Sequence, residues 1–135
     1  MDGYAVMPVS GLSLLALVVR LHAVTFNAAL ARRIRVAMVD TAGVTEKRMF
    51  GGVAFMLRGH MFVGVIGSTL MARVGPAEYE SALARPHVRP MDFTGKPLRG
   101  YVYVDPAGIR LDKQLQSWTR KCATFVDTLP RKVKK

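Results

Sequence analysis

Leu30, Ile34, Ala37, Met38 and Thr41 share one face at helical spacing, while Arg32, Arg35 and Val39 fall on the other. The pattern predicts an amphipathic helix, with Asn27 as N-cap and Gly43 as its left-handed stop. Beyond Gly43 the period changes to two. Met49, Val53, Phe55 and Leu57 alternate with smaller or polar neighbours, and Gly51-Gly52 interrupts the run. Strands are expected over 47–50, 53–58, 61–66 and 70–74, the first two readable as one strand bent at a glycine bulge. Gly59-His60 and Gly67-Ser68 place glycine first in two-residue loops, which suits type II′ hairpin turns and implies a meander.

Pro76 opens a short helix to about Ala84 with Glu78 and Glu80 at its positive end, and Pro86 and Pro90 close it. Residues 100–104 alternate aromatic and β-branched side chains and read as another strand. The clearest element comes last: Leu111, Leu115, Trp118, Cys122, Phe125, Val126 and Leu129 line one helical face, with Lys113, Gln116, Arg120 and Asp127 opposite. Asp112 is placed to cap this helix and Pro130 to stop it. The pattern as a whole is an α+β domain over residues 27–130.

Composition changes the picture in two places. The chain has 135 residues, half of them hydrophobic, which is one domain with material for a real core. Its formal net charge of +11 points toward polyanions such as nucleic acid, an acidic membrane surface or an acidic partner; an arginine-rich surface that merely keeps the protein soluble is the alternative. The second place is the start. Residues 3–19 carry no charge and include Leu12, Leu14, Leu15, Leu17, Val18 and Val19. A signal peptide needs basic residues before such a run, and here only Asp2 precedes it. A membrane span needs about 18 strongly apolar residues, and Pro8, Ser10, Gly11 and Ser13 dilute this one. Residues 1–26 are therefore read as an apolar extension, either an extra element packed on the domain or a partner, or translated sequence upstream of the true start. Residues 131–135 form a basic tail.

Candidate chemistry is sparse. Cys122 is the sole cysteine, so no internal disulfide can form, and its helical phase puts it between Trp118 and Val126 rather than beside a base. His22, His60 and His87 lack the spacing of a zinc site. Gly51-Gly52 lacks the lysine and hydroxyl residue of a phosphate loop. Asp92, followed by Thr94-Gly95-Lys96, reads as a turn whose aspartate bonds local backbone; a pocket joining Asp92, Lys96 and Arg99 would point to an enzyme instead. No carboxylate pair is spaced for acid and base roles. Cofactors and metals are not expected, and catalysis is not expected either. Candidate phosphate contacts are Arg32, Arg33 and Arg35 on the first helix and Arg131, Lys132, Lys134 and Lys135 on the tail. Tyr101 and Tyr103 share a strand face, where cross-strand packing is favoured over base stacking.

The run Gly43-Val-Thr-Glu-Lys-Arg-Met-Phe-Gly-Gly-Val-Ala-Phe-Met56 resembles the opening signature of the TfoX/Sxy N-terminal domain family. The blocks at 70–75 and 89–104 and the Trp118 helix agree in order and spacing, so the likeness rests on Met49, Phe50, Gly51, Gly52, Phe55, Asp92, Phe93, Gly95, Gly100 and Trp118. It implies a two-layer α+β sandwich with an antiparallel sheet of about five strands in the order α-β-β-β-α-β-β-α, related to secretion-chaperone-like folds. It also implies a role shared with bacterial regulators of natural competence, which act with a global transcription factor at promoters and carry a second, C-terminal domain. The expectation is a cytoplasmic, stand-alone, non-enzymatic regulatory module that contacts DNA or a DNA-bound transcription factor. The alternative is a protein–protein adaptor or homodimer without a nucleic-acid role.

Overall fold

A computed structural model describes residues 27–49, 51–92 and 95–130. Helix α1 (Ala28–Ala37) is followed by strands β1 (Val44–Met49), β2 (Gly52–Leu57), β3 (His60–Ile66) and β4 (Thr69–Arg73). A 3₁₀ turn at Pro76–Glu78 runs into α2 (Tyr79–Leu83); β5 (Val88–Pro90), β6 (Tyr101–Val104), a second 3₁₀ turn at Pro106–Gly108 and α3 (Asp112–Asp127) complete the chain. The strands form one antiparallel sheet in the order β1-β2-β3-β4-β6-β5. The expected α+β class and two-layer architecture are thus present, with a sixth strand.

The strand not expected is β5, and the glycine pair separates β1 from β2. Met49 pairs with Gly52 in adjacent antiparallel strands, so the glycine pair lies at a hairpin and not at a bulge. Gly51 takes φ +73, which glycine adopts without steric cost. The next hairpin is also shifted: Leu57 pairs with His60, leaving Arg58-Gly59 as the loop, with φ of +51 and +87. Two successive positive φ values belong to a type I′ turn, so the glycine is second in the loop, not first. Gly67-Ser68 is the expected glycine-first loop between Ile66 and Thr69. A real bulge lies in β2–β3, where the register slips between Phe55 and Met56.

Alternation then sorts the sheet into two faces. Val53, Phe55, Phe62, Val63, Val65, Leu70, Ala72, Val102 and Val104 point to the helical layer and join Leu30, Ile34, Leu115, Trp118, Cys122 and Val126 in the main core. Trp118, the largest buried side chain, removes roughly 150–250 Å² from water, about 4–6 kcal/mol as an upper bound. Arg85 stacks over its ring at 4.6 Å.

The helices differ from expectation at their ends. Asn27 does cap α1, its side chain accepting the Leu30 N–H at 3.1 Å. However, α1 ends at Ala37, and Gly43 instead opens β1. Asp112 is the first residue of α3 and not its cap; the Gln114 carboxamide accepts the Leu111 N–H at 2.9 Å, and Leu111 is 51% exposed. β5 escaped the periodicity because it is three residues long and contains Pro90, which an edge strand tolerates.

Gly52 is required by close approach: a Cβ there would lie 2.0 Å from the Val65 carbonyl oxygen. At Gly64 the nearest obstacle is the Met71 Cε at 2.3 Å, the end of a flexible chain. Gly52→Ala should therefore lower stability by about 2–3 kcal/mol and Gly64→Ala by roughly 1 kcal/mol, read by urea denaturation. Equal losses would refute the backbone-clash account.

Candidate interaction surface

The structure separates the three arginines expected to act together on α1. Arg33 donates to the Ile109 carbonyl at 2.7 Å, the Arg110 carbonyl at 3.2 Å and the Asp112 carboxylate at 3.1 Å. This bond set ties α1 to the start of α3. Arg35 makes a forked pair with both Glu46 oxygens, at 2.5 and 2.7 Å, joining α1 to the edge strand β1. The guanidinium holds the Glu46 carboxyl below its ordinary 4.5, mainly by hydrogen bonding. Only Arg32 of the three is exposed with no side-chain partner among the described residues.

Other cations are also committed. Arg58 pairs with Asp127, Arg89 with Asp105, Arg99 with Glu80, and Lys121 with Glu78. Arg99 also lies over the Tyr79 ring at 5.6 Å, so it is drawn to α2 rather than toward Asp92. Arg120 and Lys113 on α3 resemble Arg32 in having no side-chain partner among the described residues.

Arg120 and Arg32 line two neighbouring depressions between α1 and α3, while Lys113 lines neither. Between α1 and α3 lies a depression of about 490 Å³ lined by Val36, Val39, Arg58, Gln116, Arg120 and Asp127, and a smaller one beside it reaches Arg32. Val36 and Val39 are 66% and 75% exposed on its wall. Lys113 precedes Gln116 by about one turn on the same stripe of α3. A second cleft of about 480 Å³ flanks the other side of α3, and Arg120 stands on the ridge between them. At the far end, the His60 ring bonds the Pro130 carbonyl at 2.7 Å. Leu57, paired with His60, and Arg58 line the first cleft, so the chain leaves Pro130 toward the basic tail from that end. The tail residues Arg131, Lys132, Lys134 and Lys135 themselves lie outside the described residues.

Little here suits chemistry. Cys122 is fully buried, and burial pushes its thiol up to about 12, as its helical phase implied. Among the described residues no group of three His, Cys, Asp or Glu could hold a metal, and no helix is long and apolar enough to cross a membrane. Tyr101 and Tyr103 serve cross-strand packing. Arg73 lies over one ring at 5.3 Å and Arg89 over the other at 4.8 Å.

The signature residues have structural positions. Met49 and Gly52 close the first hairpin, Phe55 and Trp118 are in the core, and Gly95 forms a turn in which its N–H donates to the Asp92 carbonyl at 2.8 Å. The turn at Asp92 is as expected, but its bond uses backbone oxygen rather than the carboxylate. Gly100 packs on Gly75, and its carbonyl accepts the N–H groups of Val74 and Gly75. Phe50 and Phe93 lie outside the described residues. The family model described as the TfoX N-terminal domain matches residues 37–126. The chain belongs to that family. Neither a curated protein nor a solved structure matches it. The TfoX N-terminal match covers the sheet, α2 and nearly all of α3, whereas most of α1, with Arg32, Arg33 and Arg35, precedes it.

The Arg35–Glu46 pair makes a pH prediction. Because the folded Glu46 pKa is depressed, the pair's stabilisation is present above the ordinary 4.5 and is lost as pH falls through the folded value. Glu46→Gln should cost about 0.5 kcal/mol at pH 7, since both groups are partly exposed, and nothing near pH 2. Thermal melts of both proteins across that range check it; a penalty that persists in acid would show a packing role instead.

Proposed function

We propose that this TfoX N-terminal domain is a non-enzymatic regulatory module that binds duplex DNA through the α1–α3 face. The observation that carries the reading is that Arg32 and Arg120, without side-chain partners among the described residues, line neighbouring depressions between α1 and α3, with the equally unpartnered Lys113 on the same stripe of α3. Such cations neutralise phosphates without base recognition, giving affinity that is sequence-independent and salt-dependent. A cytoplasmic setting agrees with a lone reduced thiol in the core. Exposed Val36 and Val39 favour a second reading, in which the same cleft takes a protein partner such as a DNA-bound transcription factor.

Titration against duplex DNA at low and raised salt distinguishes them. Direct binding should weaken as salt rises, and Arg32→Ala, Lys113→Ala and Arg120→Ala should each lower the salt slope by roughly one. Arg33→Ala should instead lower stability, because its three bonds hold α1 to α3. Absence of binding at low salt, or binding indifferent to salt, would remove the DNA reading.

A further inference from the structure

The face of the sheet turned away from the helices is apolar at its centre. Register places Lys47, Ala54, Gly64, Met71, Tyr103 and Arg89 in one row across all six strands. Met71, Met91 and Tyr103 form a second buried cluster, with Met61, Ile66 and Tyr101 packed at its rim, and no helical residue belongs to it. Ala54 and Met71 are nevertheless fully buried, while Met56, Met61 and Ile66 around them are half-buried. The Met71 side chain overlies Gly64, its Cε 2.3 Å from where a Cβ would stand, and Gly52, Ala54 and Gly64 are all buried.

We infer that this face is the seat of the chain's own apolar N-terminal segment, residues 12–26. Three observations fix the occupant. First, the segment reaches the described fold at the right place: the Asn27 N–H donates to the Gly67 carbonyl at 2.7 Å, and the Asn27 carboxamide reaches the Ser68 hydroxyl at 3.3 Å. That tether is the β3–β4 turn, at the rim of both faces and next to Ile66. Second, the length suffices. Six strands spaced about 4.8 Å apart span roughly 24 Å, and fifteen residues reach about 22 Å as a helix and further if extended. Third, the chemistry matches. Residues 12–19 carry no charge and supply Leu12, Leu14, Leu15, Leu17, Val18 and Val19, while the cations of the face are Lys47 and Arg89 at its two edges and Arg73 at the end of β4 away from Gly67.

Thiol labelling of the full chain tests this, since buried Cys122 is silent in the folded protein. Met56→Cys places a probe on the face and Val39→Cys a control on the helical side. Adding Leu14→Asp, Leu15→Asp and Val18→Asp should raise labelling at position 56 by about tenfold or more and leave position 39 unchanged. Equal rates at position 56 would overturn the inference. Protection that rises with protein concentration, together with a dimer by sedimentation, would assign the face to a second copy and overturn it as well. Should the aspartate variant unfold, shown by labelling of Cys122, oxidation of Met56→Cys paired with single cysteines at 14, 15, 17 or 18 decides. At least one pair should close within a monomer, and failure of all four would refute the proposal.

Discussion

Everything in this domain hangs on the seam between α3 and the middle of the sheet. Leu115, Trp118, Cys122 and Val126 meet Phe55, Val63, Val65, Leu70 and Ala72 there, and nearly all of these side chains are fully removed from water. No disulfide or metal is available to hold so small a core among the described residues, so close packing must do it. Cys122 belongs to this packing. Its thiol is stabilised in the protonated form by the same burial that makes the seam, so nucleophilic use would require opening the core. The helix α1 contributes less apolar surface, through Leu30, Ala31 and Ile34, and is held partly by polar ties. Arg33 and Arg35 reach opposite neighbours, one toward α3 and one toward β1.

Those ties set Arg33 and Arg35 apart from Arg32. Arg32, Arg33 and Arg35 look like one cluster when read along the chain, yet the helix turns each by about 100° from the last, and nearby acids then take two of them. Asp112 and Glu46 are distant in sequence, so no local signal marks the pairing. Lys113 and Arg120 were legible as the polar stripe of the last helix, but the apposition of Arg120 to α1 depends on the tertiary crossing. The periodicity had put Val39 on the polar face of the first helix, yet the cleft it lines is a property of the fold.

The helices and most strands were legible because their apolar periods are strong, although of the expected helix caps only that of Asn27 is present. What escaped was turn geometry. One glycine pair can make a bulge or a hairpin, and the sequence pattern is the same; the choice falls to the hairpin because Gly52 lets β2 lie against the Val65 carbonyl, which any Cβ would obstruct. Likewise Arg58 occupies a positive φ that glycine would take more easily. Leu57 and His60 must pair to keep Phe55 and Leu57 on the core face, and a loop shifted by one residue would turn them outward. Core alternation therefore overrides local turn preference at this hairpin.

The two faces of the sheet obey different rules. The helical face alternates Val, Phe and Leu and is filled by long side chains from three helices. The other face uses small residues in β2 and β3, a methionine in β4 and tyrosines in β6, with Arg73 and Arg89 laid over the rings. Arginine stacked on an aromatic ring stays hydrated at one edge while its plane covers carbon, which closes the β6 side of the face without a further element. On the β2–β3 side the Met71 side chain lies over Gly64, and Ala54 is fully buried although it brings only a methyl group. Small residues there bring little side-chain volume of their own, so the dispersion contacts of that half must come from what packs over it. The face is thus capped by arginines at β6 and built of small residues at β2 and β3, so its two halves can accept cover of different bulk.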